Sequence, residues 1–472
     1  MDRPVLDTHQ KAHSINQDRR KYGTLAEIGA GQETARWFFR VGGAAGTIAK
    51  AISAYDMQVS DSLYGPCRRY VSRERLRAML DIEYTQLQSH LGESRGDESS
   101  FFVFANTVAT FSFTTRCPGH GWLGIRFQTA PHASESQIDL HVVLKGSDNL
   151  QDQEILGQLG VNLVYAAMYL HDDPDELLTS LLDGLSTDLL EIDMIDFQGA
   201  AFEQVDNRLM ALRLVQHGLS SAAMFRADGK VVQPADMLYK KAVLVERSRF
   251  RPPTCLNMEM LDSAARRFCQ EADVSGENTL VLSEMTLHNL GDRDDIDVED
   301  FLNRVEILCA LGKNVIITDY GEFYRLAQYL FRLTQEPVGV VLGVTTLAEI
   351  FNETYYRHLD GGILESFGRM FRQRLHLYVC PACQDDTDRL LTAGNLVVEQ
   401  HLRHLYSHLL DNGCIRELTD ISPDKLKIHS HAVLDCIRSG AAGWESMVPT
   451  VVADLIREKR LVRYERAQDA AG

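Results

Sequence analysis

Residues 240–260 read K-K-A-V-L-V-E-R-S-R-F-R-P-P-T-C-L-N-M-E-M, and their reading decides the fold of the whole C-terminal half. The four apolar or small residues in a row within Ala242 to Glu246 suit a parallel strand covered on both faces. Pro252 and Pro253 forbid helix through the turn that follows, and Thr254 is a good N-cap for a helix beginning near Asn257. A strand-to-helix turn of this kind aims backbone N–H groups beyond the sheet edge, where a helix N-terminus favours anions. Arg247, Arg249 and Arg251 add positive charge to that turn, so a phosphate-bearing ligand is expected there.

Strand and helix alternate regularly beyond this point. The pattern predicts strands at 279–286, 314–318 and 337–343 and helices at 298–311 and 322–333, hence a parallel, doubly wound sheet. Ligands of such sheets bind beyond the carboxyl ends of the strands. That rule gathers Arg247 to Thr254, Glu284 to His288, Thr318 to Tyr320 and Gly343 to Thr345 on one rim. Thr318, Asp319 and Gly343 thereby become binding candidates without any motif.

Phe250, Pro252, Thr254 and Met260 fall at the spacing of the fingerprint G-S-F-x-P-x-T/H-x-G-H…L-x-M, so this stretch resembles the nucleotidylyltransferase superfamily. The chain as a whole also resembles a broad, poorly characterised bacterial family labelled nicotinamide mononucleotide adenylyltransferase. The resemblance implies a Rossmann-like domain and adenylyl transfer from ATP, with Mg²⁺ bridging phosphates, onto nicotinamide mononucleotide. Arg251, Thr254 and Asn257 then stand at the catalytic positions, with Thr254 donating a hydroxyl. Arg247, Ser248, Arg249 and Phe250 stand against the nucleotide. The chain departs from the fingerprint at Ser248-Arg249, where a glycine-serine pair belongs, at Leu256 in place of the second glycine, and at Asn257 in place of the catalytic histidine. A neutral amide is a weaker donor to a transferring phosphate than that histidine, so a catalytically inactive regulator or scaffold of the same fold is the alternative. A-L-G-K-N-V-I-I-T-D, residues 310–319, also resembles a haloacid-dehalogenase-like phosphatase, but L-V-L-S-E-M-T upstream lacks that family's aspartates.

The 472 residues suffice for two or three domains, and 45% hydrophobic with 24% charged residues is ordinary for a globular protein. A net charge of −18 argues against a nucleic-acid or anionic-membrane surface and confines any phosphate site to a local basic pocket. No stretch approaches a membrane span, the N-terminus lacks an apolar signal core, and nine scattered cysteines fit reduced thiols, so cytosol is the expected compartment. Self-association stays open.

The expected fold class is α/β: an N-terminal α+β domain plus a Rossmann-like parallel-sheet domain with a helical C-terminal region. Its parts are a helical stretch at 1–95, an α+β stretch of the same domain at 96–235, the Rossmann-like domain at 236–383 and a helical cap at 384–472. Within the first part, residues 1–20 read as a loose arm, E-I-G-A-G opens one helix and G-G-A-A-G a second that carries T-I-A-K-A-I-S-A, and Ser72 caps a third running to about Leu91. E-I-G-A-G looks like the first motif of Rossmann methyltransferases, but too short a strand precedes it, so its glycines are expected to permit close approach or a sharp turn. Strands are expected at 100–113, 121–127 and 137–144. In D-L-L-E-I-D-M-I-D-F the alternation places Glu191 and Asp193 on a wet face, and His120 reads as a solvated loop histidine. No metal site is expected: Cys380-Pro-Ala-Cys383 has His401, His404 and His408 downstream as zinc partners, yet reads as ordinary thiols.

Overall fold

The computed structural model describes residues 4–461 apart from 112–117, 147, 271–273, 292, 294, 373 and 384–388. Cys117, the end of the expected strand at 112–113, and the last residues of the helical cap lie outside these. Contacts divide the chain into two units, 1–223 and 224–472.

The first unit is built on a six-stranded sheet: β1 (Lys21–Gly29), β2 (Ile48–Ala54), β3 (Ser100–Ala109), β4 (His120–Phe127), β5 (Ser136–Leu144) and β6 (Leu190–Gly199), in the order β2-β1-β3-β4-β5-β6. The first three strands are parallel and the rest antiparallel. Alternation in β4 and β5 turns Leu123, Ile125, Ile138 and Leu140 into a core shared with the long helix Asn149–Tyr169. The expected strands here and the Ser72-capped helix, which runs Arg73–Arg95, are present.

Several expectations for this unit fail, each for a local reason. Residues 8–17 form a helix, not a loose arm, because Asp7 and Gln10 close a capping box and Lys11, fully buried, donates to Asn162 and pairs with Asp183. E-I-G ends a nine-residue buried parallel strand instead of opening a helix. The glycines behave as anticipated: Gly29 has φ +77°, and a Cβ on Gly31 would stand 2.6 Å from Asn106 Oδ1. Residues 48–54 form β2 rather than a helix; it is an edge strand with a mostly open face, which hides its pairing from a hydrophobic pattern. Glu191 and Asp193 are buried, and His120 opens β4. A register shift at His141/Val142 breaks the simple alternation of β6. Glu191 accepts from the Ser220 hydroxyl and the Ser221 N–H, while Asp193 contacts His141 at 2.5 Å, whose other ring nitrogen lies 3.2 Å from His120.

The second unit holds an eight-stranded sheet. The hairpin β7 (Ala222–Phe225) and β8 (Val231–Val232) forms one edge, and the boundary between the units falls within β7. The parallel strands are β9 (Ala242–Arg247), β10 (Thr279–Thr286), β11 (Asn314–Thr318), β12 (Val338–Gly343) and β13 (Leu375–Cys380). After two antiparallel strands of two residues each, β14 (Ala382–Cys383) and β15 (Leu390–Leu391), comes the parallel edge strand β16 (Ile415–Glu417). Their spatial order is β16-β13-β12-β9-β10-β11, the 3-2-1-4-5-6 order of dinucleotide-binding folds. The α/β, Rossmann-like expectation holds. Strand order reverses at β9, so the turn after it sits at the topological switch point. In the C-terminal stretch, helices Ser430–Ser439 and Thr450–Lys459 pack around Trp444, and a further helix runs Arg403–Asp411. No described helix is long and apolar enough to cross a membrane.

Candidate ligand site at the switch point

The carboxyl ends of β9, β10, β11 and β12 surround a cavity of about 740 Å³. Arg247, Ser248 and Arg249 line it from the turn after β9, and Thr286, His288 and Asn289 from the end of β10. Gly321, Glu322 and Phe323 follow β11, Thr346, Glu349 and Ile350 belong to the helix Val344–Ile350 after β12, and Tyr355 and Tyr356 close the wall.

Successive residues of β9 face opposite sides of the sheet, so Arg247 and Glu246 enter different environments. Arg247 donates from Nε and Nη2 to Glu284 at 2.9 and 2.8 Å and from Nη1 to the Gly321 carbonyl at 2.6 Å. Glu284 is fully buried and also accepts from the Thr318 hydroxyl at 2.6 Å. The guanidinium lies 4.3 Å from the centre of the Phe323 ring. Arg247 thus forms a neutralised, rigid floor, and Thr318 belongs to its support rather than to the cavity wall.

The other two arginines part company. Arg251 pairs with Asp300 at 2.7 Å, and Asp300 also grips Arg304. Arg304 is almost fully buried, which pushes its pKa down. It donates from Nη1 to the Arg249 and Asn289 carbonyls at 3.1 and 3.2 Å, tying the two loops of the site together. Arg249 is exposed, and its side chain has no ion-pair partner among the described residues. Between them Phe250 sits with φ +47° and its ring fully buried, a strained conformation for a bulky residue that packing must hold.

The expected catalytic trio does not line the cavity. Thr254 and Asn257 close a capping box at the start of the helix Cys255–Cys269. The Asn257 amide N–H groups donate to Glu246 at 2.7 Å, and its side-chain oxygen accepts from the Thr254 N–H and hydroxyl. Both residues are buried, and Glu246, wholly buried with one oxygen unpartnered, has its pKa raised to about 7 by desolvation. Thr254 has therefore committed its hydroxyl proton, and Asn257 serves the helix start. Asp319 pairs with Arg293 at 3.2 Å, and Gly343 caps the helix Val344–Ile350; neither lines the cavity. Of the ten residues singled out in the sequence, the cavity gathers Arg247, Ser248 and Arg249. The rim rule also found Thr286 and His288. Phe323, Glu349 and Arg304 were missed, since each sits in an ordinary helical pattern and acquires its place only from the crossover geometry.

An ATP–magnesium complex fits these residues poorly. Mg²⁺ normally takes one or two carboxylates together with phosphate oxygens. The two lining carboxylates are already engaged: Glu349 accepts from the Tyr355 hydroxyl at 3.0 Å, and Glu322 lies 3.6 Å from Arg325. Among the described residues no group of three or more His, Cys, Asp or Glu is placed to hold a metal ion. Cys380 is buried, which pushes its thiol up to about 12, and His401 contacts Glu353 at 2.6 Å.

No family model and no curated protein matches the chain. Among solved structures, the competence/damage-inducible protein CihA of Agrobacterium tumefaciens is similar at 15% identity over 35% of this chain and 98% of its own, with a TM-score of 0.25. A competence or damage-inducible protein of Enterobacter asburiae matches at 11% identity over 34% of this chain and 98% of its own, with a TM-score of 0.26. A candidate nicotinate-nucleotide adenylyltransferase of Vibrio parahaemolyticus matches at 13% identity over 47% of this chain and 96% of its own, with a TM-score of 0.21. Likenesses this slight carry no argument about fold or function, which stand on the strand order and on the site itself.

Proposed function

We propose that the second unit binds a nucleotide or another phosphorylated metabolite in the cavity at the carboxyl ends of β9 to β12. One observation carries the reading: Arg249, with no ion-pair partner among the described residues, presents its guanidinium on the wall of an aromatic-lined cavity at the switch point of a Rossmann-like sheet, in a chain of net charge −18. Arg249 and His288 would meet the phosphate, and Phe323 and Tyr355 offer faces for a ring. The test is thermal melting of the full chain against nucleoside monophosphates, nicotinamide mononucleotide and ATP with Mg²⁺. A ligand at a hundred times its Kd stabilises by about 2.7 kcal/mol, a readily visible shift in Tm. No shift with any of them defeats the proposal.

Adenylyl transfer from ATP to nicotinamide mononucleotide is the second reading, supported by the spacing of Phe250, Pro252, Thr254 and Met260 along a strand, turn and helix at the rim. The burial of Thr254 and Asn257 in the helix cap favours a binder that keeps the fold without that chemistry. Pyrophosphate release separates the two.

A further inference from the structure

We infer that the cavity takes a nucleotide bearing a single phosphate and discriminates against di- and triphosphates, an inference that rests on the binding reading above. Of the two arginines on the cavity wall, Arg247 is neutralised by Glu284, a fully buried carboxylate gripping it through two hydrogen bonds. Arg249 has no carboxylate partner among the described residues and is the wall arginine left to meet an anion. A phosphate monoester carries about 1.5–2 negative charges, which one arginine, assisted by neutral donors such as Ser248 and Asn289, can match.

A longer phosphate chain needs a cradle of several N–H groups, and in this turn part of that set is spent. Folds of this strand order hold a pyrophosphate on the N–H groups of the first strand-to-helix turn and on the helix N-terminus behind it. Here the Ser248 N–H donates to the Glu284 carbonyl at 3.2 Å, Pro252 and Pro253 have no N–H, and the Thr254 N–H is taken by Asn257 at 3.0 Å. The capping box takes the Thr254 and Asn257 N–H groups of the helix start. Added phosphates would share the cavity with the carboxylates Glu322 and Glu349 on its wall.

The decisive experiment is calorimetric titration of the full chain with adenosine, AMP, ADP and ATP, the last with and without Mg²⁺, alongside CMP, GMP, UMP and nicotinamide mononucleotide. At least one monophosphate is expected to bind, and at least tenfold more tightly than its triphosphate in either condition. Arg249→Ala, at an exposed position and with an unchanged melting temperature, is expected to weaken that monophosphate about tenfold while leaving the parent nucleoside unaffected. Tighter binding of a triphosphate, or a monophosphate affinity unchanged in Arg249→Ala, overturns the inference while the binding reading stands. Binding of none of the ligands removes the binding reading itself, and the inference with it.

Discussion

Both sheets bury a carboxylate gripped by arginine, yet they use it differently. In the first unit Asp139, fully buried on β5, accepts from Arg73 and Arg77 of the helix Arg73–Arg95 at 2.9 and 2.8 Å and from Gln137 at 2.6 Å. In the second, Glu284 holds Arg247 and Thr318 at the carboxyl ends of three adjacent parallel strands. Antiparallel strands alternate their ends, so the charged network of the first sheet spreads along a face. Parallel strands send all their carboxyl ends to one rim, so the network of the second becomes the floor under converging loops. Strand polarity turns the same device from a strut into a foundation for a site.

The largest expected effect tests that contrast. Glu284→Ala strands a buried guanidinium, whose side chain is 8% exposed, and deprives the Thr318 hydroxyl of its acceptor. Denaturant melts should show a loss of about 3–5 kcal/mol. Asp139→Ala should cost less, about 1–3 kcal/mol, because Arg73 and Arg77 are 26% and 39% exposed, reach water and keep Asp196 nearby. Equal losses would erase the distinction between strut and foundation.

Among the described residues, each unit also hides one glutamate whose pKa burial raises to about 7, Glu27 in β1 and Glu246 in β9. Glu27 accepts from the Thr34 and Ala35 N–H groups and from Asn106, whereas Glu246 accepts from Asn257 alone. A raised carboxyl pKa stabilises the fold fully below the unfolded value. That contribution fades as pH climbs from 4.5 to about 7, because the unfolded chain ionises first. Glu246→Gln mimics the protonated form and keeps an acceptor for Asn257. It should remove a pH-dependent loss of roughly 3 kcal/mol across that interval. Stability measured at pH 5 and pH 8 checks this; an unchanged difference in the variant would show that Glu246 ionises normally.

How much of this was legible in sequence follows the same division. The parallel sheet announced itself because its strands are continuous apolar runs, and the rim rule then located the cavity from strand ends alone. What stayed hidden were side-chain pairings between different elements: Arg247 with Glu284, Arg251 with Asp300, Asn257 with Glu246. Three arginines in five residues looked like three phosphate ligands, and two of them serve the scaffold. In the first unit, the shift at His141/Val142 turned a wet-looking aspartate into a buried partner of His141, and a single bulge is invisible to an alternation count. The edge strand β2 was misread for a different reason, since its polar residues Lys50 and Ser53 stand three apart, a helical spacing.

The smallest effect on stability belongs to the residue on which function is staked. Arg249 lies on the exposed side of the turn and has no ion-pair partner among the described residues, so Arg249→Ala should change stability by no more than about 0.5 kcal/mol. Its backbone carbonyl, which holds Arg304, survives the substitution, so the turn should keep its course. A much larger destabilisation would mean that the guanidinium supports the turn as Arg247 and Arg251 do. All three arginines would then belong to the foundation, and none of them would be free to meet a ligand.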